Sequence, residues 1–184
     1  MDAVMLLQTL YRPDEMVFCG GAYDRAVKCA GEWLEAFKGG DKVPPHIIPN
    51  PMDGKEHETK SGTKSFRCDA AVSCFRFAVA EFDDIPAADQ LAFWWGFRMD
   101  VPSLPIAALI SSGGKSVHAW LRVEARNRQE WEELVEDGLF RRLLVPLGCD
   151  PTCRNESRLS RLPGHYRAEK SNWQRLLYLD GGQA

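Results

Sequence analysis

The stretch CFRFAVAEFD (residues 74–83) decides how this chain is read. Apolar side chains stand at both parities of a two-residue period up to Ala80, the pattern of a central strand covered on both faces, and the run then meets acid. Residues two apart on a strand share a face, so Glu81 and Asp83 are expected to project together while Phe82 turns into the core. Two carboxylates side by side repel each other. The pair is most readily kept when a divalent cation lies between them, and hard oxygen donors favour magnesium or manganese. The ordinary alternative is a strand end with solvated acids, Asp84 capping a helix that begins at Pro86.

Downstream, PAADQLAFWWGFR (86–98) predicts a helix with Leu91, Trp94, Trp95 and Phe97 in a broad apolar stripe. PIAALIS (105–111) and SVHAWLRV (116–123) predict two strands joined by an SGGK turn. Alternation puts Ser116, His118, Trp120 and Arg122 on one face, too polar for a core, and Val117, Ala119, Leu121 and Val123 on the other. Asn127 followed by Glu130 reads as a capping box, with Trp131, Leu134, Val135 and Leu139 as the core face of the next helix. QRLLYL (174–179) closes the chain's last element as a strand or short helix. Upstream, the first 40 residues read as helical apart from a short strand at 16–19. Ala26, Ala30, Trp33, Leu34 and Phe37 recur at helical spacing before Gly39 and Gly40. Residues 40–66 hold four prolines and predict a long loop. The expectation is one α/β (α+β) domain over 1–184, with an N-terminal helical and loop subregion (1–66) and a mixed-sheet core (67–180).

Composition narrows the class. At 184 residues, 45% hydrophobic and 27% charged, the chain can bury a core, and collagen-like, coiled-coil and wholly disordered readings are excluded. No apolar run approaches the roughly 20 residues of a membrane span. The N-terminus, MDAVMLLQTLYRPDE, has no basic n-region or small-residue cleavage site, so a cytoplasmic protein without membrane contact is expected. Six cysteines with no CxxC pair read as buried thiols in a reducing compartment; CDPTC (149–153) is at most half a zinc site, since no second pair stands at ligand spacing.

The net charge of -3 argues against nucleic-acid binding by bulk charge. Its distribution matters more. Within residues 151–170, Arg154, Arg158, Arg161, Arg167 and Lys170 face only Glu156 and Glu169, which leaves +3 there and -6 on the remainder. Guanidinium groups near metal-binding carboxylates suit phosphate, because the fork bonds two oxygens at once; a solvated basic loop is the plain alternative. In SSGGKSVH (111–118) the glycines allow a tight turn, and Lys115 and Ser116 offer a cation and a donor beside His118 as a phosphate seat. It is not a P-loop: position 109 is Leu and no helix follows. Ser116 and His118 point the same way on one strand, so no Ser-His-Asp triad is implied.

Taken together, FAVAEFD, SGGKSVH and LGCD (147–150), followed by RLSRLPGHYR, resemble the motifs of the archaeo-eukaryotic primase superfamily, in particular primase-polymerase domains of phages, plasmids and other mobile elements. The resemblance covers residues 64–180. It implies an RRM-like catalytic core. It also implies Glu81, Asp83 and Asp150 as ligands of Mg2+ or Mn2+, and Ser116 with His118 holding the phosphates of a nucleoside triphosphate. Lys115, Arg158 and Arg161 extend that site on charge and proximity. Glu81 stands where the common form has Asp, and its extra methylene alters the metal geometry. The implied activity is two-metal nucleotidyl transfer to a 3'-hydroxyl on a single-stranded DNA template, and relatives of this type carry a helicase or an accessory helical region as partner. The alternatives are a catalytically decayed module that binds single-stranded nucleic acid, and a metal-dependent nuclease.

Overall fold

The computed structural model describes every residue except Ala22, Ala26, Lys60 and residues 182–184. The chain runs α1 (Asp2–Leu10), β1 (Met16–Gly20), β2 (Val27–Cys29), α2 (Ala30–Lys38), β3 (His46–Ile47), β4 (His57–Glu58), β5 (Lys64–Ser65) and β6 (Phe75–Ala80). Then come α3 (Ala87–Asp100), β7 (Ile106–Ser111), β8 (Val117–Ala125) and α4 (Arg128–Trp131), which continues as a π-helix over Glu132–Leu144. Four strands end it: β9 (Ser160–Arg161), β10 (Tyr166–Arg167), β11 (Asn172–Trp173) and β12 (Arg175–Leu179).

The central sheet has the order β12-β7-β8-β6. Strand β8 lies between β6 and β7, the two strands that α3 connects, so this unit is a split β–α–β. The α+β class stands, while every pairing in the sheet is antiparallel rather than of mixed direction. The sheet is covered on both faces. Phe77, Val79, Ile110 and Trp120 pack on Leu6 and Leu7 of α1, Trp33 of α2 and Ile47. Ala78, Ala80, Leu109, Ala119 and Leu121 pack on Trp94, Phe97, Trp131, Val135 and Leu144. The face of β8 expected to be too polar for a core is therefore interior: Trp120 is fully buried and His118 only 4% exposed. Its polar atoms find partners in Ser160, which meets both Trp120 and His118, in Glu81 and in the Asp180 carbonyl.

The N-terminal layer is more ordered into strands than its sequence suggests. A second sheet, β2-β1-β3-β9, joins the first 47 residues to the basic segment through His46↔Arg161 and Ile47↔Ser160. The helix expected to include Ala26 starts at Ala30, because Val27–Cys29 pairs with Met16–Phe18 as a strand; Ala26 itself lies outside the described residues. Within the segment expected as one long loop, Ile47, Ile48, Asn50 and Met52 are buried. Asn50 fills the irregularity of β6 at residues 75–77: its Oδ1 accepts from the N–H groups of Arg76 and Phe77 (both 2.8 Å), and its Nδ2 donates to the carbonyls of Phe77 (3.0 Å) and Glu156 (2.9 Å). All four hydrogen-bonding valences of the amide are used, so this segment is anchored at its centre.

Three local expectations change. Asp84 does not cap α3; the N-cap is Pro86 without a side-chain bond. Gln90 ties that end of the helix down instead, donating to the carbonyls of Ile85 and Lys115 and accepting from the N–H of Val117 (2.7 Å). Asn127 does cap α4, accepting from the N–H of Glu130 at 3.0 Å, but the Glu130 carboxylate returns to the N–H of Arg126, one residue early. Leu134 is 54% exposed because the π-helix bonds i to i+5, so its buried side chains fall at 135, 139, 140 and 144.

Candidate active site

The end of β6, the turn between β7 and β8, and the segment around β9 meet at a cleft of about 790 Å³. Its wall includes Glu81, Asp83, Lys115, Ser116, His118, Arg158 and Arg161, that is, every candidate residue except Asp150. Asp150 is next to it: its N–H donates to the Glu81 carbonyl at 2.9 Å, which fastens the LGCD turn to the end of β6. The Cys149 thiol reaches the same carbonyl at 3.1 Å.

Strand pairing stops at Ala80, and the two acids after it diverge. Glu81 turns inward. Its Oε2 lies 3.1 Å from His118 Nε2 and its Oε1 accepts from Arg158 Nη2 at 2.8 Å. The same guanidinium nitrogen donates to Asp150 Oδ2 at 3.2 Å, so Arg158 bridges the two carboxylates. Asp150 is further held by the backbone N–H (2.8 Å) and hydroxyl (2.7 Å) of Thr152. Phe82 goes into the core as expected, at 2% exposure. Asp83 lies on the same cleft but its carboxylate is 3.5 Å from Lys115 Nζ, which also donates to the Asp83 carbonyl at 2.7 Å.

These contacts fix the charge state. Burial pushes the Glu81 carboxyl up, but the hydrogen bonds and charges of His118 and Arg158 outweigh it and hold the group at about 2. For Asp150, burial is likewise outweighed by Thr152 and Arg158, and the carboxyl sits below its ordinary value. Both are carboxylates at neutral pH. Among the described residues, Glu81, Asp150 and Cys153 form the one group whose ligand atoms all lie within 4.8 Å of one another. Burial raises the Cys153 thiol far above its usual range, so it remains protonated and the two carboxylates set the preference. That donor chemistry fits a hard divalent cation. The sequence placed Asp83 in this group; in the structure Asp83 lines the same cleft paired with Lys115, and Cys153 stands beside the two acids.

The opposite wall is cationic. The glycine turn is built on Ser112, whose hydroxyl accepts from the N–H groups of Gly114 (3.2 Å) and Ser116 (3.1 Å). Gly113 has φ +67°, and a Cβ there would lie 3.0 Å from the Trp173 carbonyl, so glycine is required on both counts. Arg161 faces the cleft and donates to His46 Nε2 at 3.0 Å. Arg167 donates to the Ser112 carbonyl at 3.1 Å, and Lys170 completes the wall. His46, Ser112, Arg167 and Lys170 were not assigned to the site from sequence. For Arg167 and Lys170 the charge count of residues 151–170 was the available signal; for His46 it was the HII triplet, a short strand lodged between prolines.

No protein-family model and no curated protein matches the chain. Among solved structures, the AEP domain of the primase-polymerase of cyanophage S-2L aligns with a TM-score of 0.61 at 19% identity, covering 100% of this chain and 91% of that one. The catalytic domain of the primase RepB', solved in complex with initiator DNA, aligns at 0.55 and 16% identity, covering 100% of this chain and 88% of the other. A second RepB' structure aligns at 0.53 and 15%, and this chain spans 58% of its length. The fold of this chain is that of the archaeo-eukaryotic primase domain.

Proposed function

We propose that the chain is a DNA primase-polymerase that transfers nucleotides from nucleoside triphosphates to a 3'-hydroxyl on a single-stranded DNA template, as in replication of a phage or mobile element. The observation that carries this reading is one cleft lined by Glu81 together with Lys115, Arg161, Arg167 and Lys170, with the Asp150 carboxylate next to it and joined to Glu81 through Arg158. A triphosphate needs both signs of charge. Arginines and lysines neutralise its outer oxygens, and the acids hold the counter-ions of its reacting end. Bound Mg2+ or Mn2+ supplies the means to activate a 3'-hydroxyl and to stabilise the leaving pyrophosphate. Ser116 and the backbone of the glycine turn orient the phosphate tail, and His118 keeps Glu81 aimed into the cleft. Asp83, half-exposed beside Lys115, is free to turn toward the same ions. The RepB' neighbour bound to initiator DNA supports DNA as the partner.

A second reading has its own observation: Arg158 bridges Glu81 and Asp150 and offsets one of their two charges without a metal, which favours a module that binds nucleic acid without turnover. Primer synthesis on single-stranded DNA with Mg2+ or Mn2+, with ribonucleotides and deoxynucleotides supplied separately, decides between them. The first reading expects metal-dependent product, lost in Asp83→Ala and Asp150→Ala variants that still fold. No product under any condition, with DNA binding retained, establishes the second. Cleavage of labelled single-stranded DNA in the absence of nucleotides would identify a nuclease instead.

A further inference from the structure

The hairpin of β10 and β11 has two working surfaces, and the cleft uses one of them. Arg167 and Lys170 line the cleft. Away from these, Tyr166 and Trp173 form a cross-strand pair with ring centroids 5.0 Å apart, and they are 45% and 43% exposed. Neither ring belongs to a buried cluster. The guanidinium of Arg175 lies 5.6 Å from the Trp173 ring. The two rings border a groove of about 410 Å³ whose other side carries Lys42, Val43 and His165. Around the hairpin, Lys42, Arg167, Lys170 and Arg175 stand against Asp41 and Glu169, a surplus of two positive charges, and Glu169 is already paired with Arg167 at 2.7 Å.

Half-exposed aromatic rings beside cations match a single-stranded nucleic acid, whose bases stack without regard to sequence while its phosphates take the cations. We infer that the β10–β11 hairpin is a stacking platform for the single strand that enters or leaves the cleft, with bases on Tyr166 and Trp173 and phosphates on Lys42 and Arg175. The inference rests on the primase-polymerase reading of the cleft. Its geometry is tied to that cleft through the close approach of Gly113 to the Trp173 backbone, so the platform and the phosphate turn are fixed relative to each other.

The test measures binding of fluorescein-labelled oligo(dT) by anisotropy and, separately, binding of a nucleoside triphosphate with Mn2+. A Tyr166→Ala/Trp173→Ala variant is expected to weaken oligo(dT) binding by about 10- to 100-fold, the loss of one or two stacked bases, with triphosphate binding unchanged. Trp173→Phe is expected to keep most of the affinity. Wild-type protein irradiated with an oligonucleotide carrying 5-iodouracil is expected to crosslink at Tyr166 or Trp173, which reads the contact without any substitution. Undiminished binding by the double-alanine variant, or crosslinks confined to other segments, overturns the platform while leaving the cleft reading intact. Absence of any oligo(dT) binding by the wild-type chain overturns both.

Discussion

His118 Nε2 lies 3.1 Å from Glu81 Oε2, so the side chain expected to hold phosphate is tied to the carboxylate expected to hold metal. A carboxylate oxygen only accepts, so Nε2 carries the proton given to Glu81; Ser160 Oγ, which accepts from Trp120 Nε1–H at 2.7 Å, lies 3.3 Å from His118 Nδ1 on the other side of the ring. His118→Ala removes that donor from a carboxylate whose side chain is only 12% exposed. Urea unfolding is expected to show a loss of about 1–3 kcal/mol. Nucleotide incorporation is expected to fall about a hundredfold through misplacement of Glu81, with partial recovery in His118→Gln. An alanine variant with full activity would separate the pair from the chemistry.

Arg158 is the internal counter-ion of Glu81 and Asp150. Arg158→Ala leaves two carboxylates facing each other, so the midpoint of thermal unfolding in the presence of a chelator is expected to fall. Adding Mg2+ or Mn2+ is expected to raise that midpoint more in the variant than in the wild type, because a cation that binds only the folded chain then replaces the missing charge. Equal metal-induced shifts in the two proteins would show that neither ion enters between these acids.

How much of this was legible in the sequence depends on whether a residue's partner was local. The β6 strand, the β7–β8 hairpin and the Asn127 cap are written in short patterns, and all three are present. The burial of His118 was not, because the groups that meet its two ring nitrogens, Glu81 and Ser160, lie 37 and 42 residues away in the chain. His46 is brought to the cleft by the pairing of β3 with β1 on one side and with β9, 115 residues away, on the other. The different partners of Glu81 and Asp83 were not legible for another reason: the ladder ends at Ala80, and past it the backbone no longer imposes a two-residue period. Leu134 failed by period as well, a 3.6-residue repeat applied to a helix that bonds i to i+5.

Gly113 is the residue on which the phosphate turn depends most. Its φ of +67° carries a strain of about 1–2 kcal/mol for a side chain, and a Cβ would press on the Trp173 carbonyl at 3.0 Å. Gly113→Ala is expected to lower stability by at least that amount. It is also expected to raise KM for the nucleoside triphosphate more than it lowers kcat, since the turn positions Lys115 and Ser116 rather than the carboxylates. Gly96→Ala, where a Cβ meets nothing within 4 Å, is the control and is expected to be neutral or slightly stabilising. A Gly113→Ala variant that lost kcat alone would place the turn in the chemical step.

His46 predicts a pH dependence of stability. Burial, then the charges of Arg161 on β9 and His118 on β8, lower it from an ordinary 6.5 to about 4, with a smaller contribution from His165. Between these values the unfolded chain binds a proton that the folded chain does not, so stability falls as pH drops from 6.5 toward 4 and the effect is complete below that. His46→Gln removes the titration. Urea unfolding of both proteins across pH 4 to 7 is expected to give the wild type the steeper slope, the carboxylates contributing equally to each. Parallel slopes would mean that His46 takes up its proton equally in the folded and unfolded chain, so that burial and Arg161 do not hold it off.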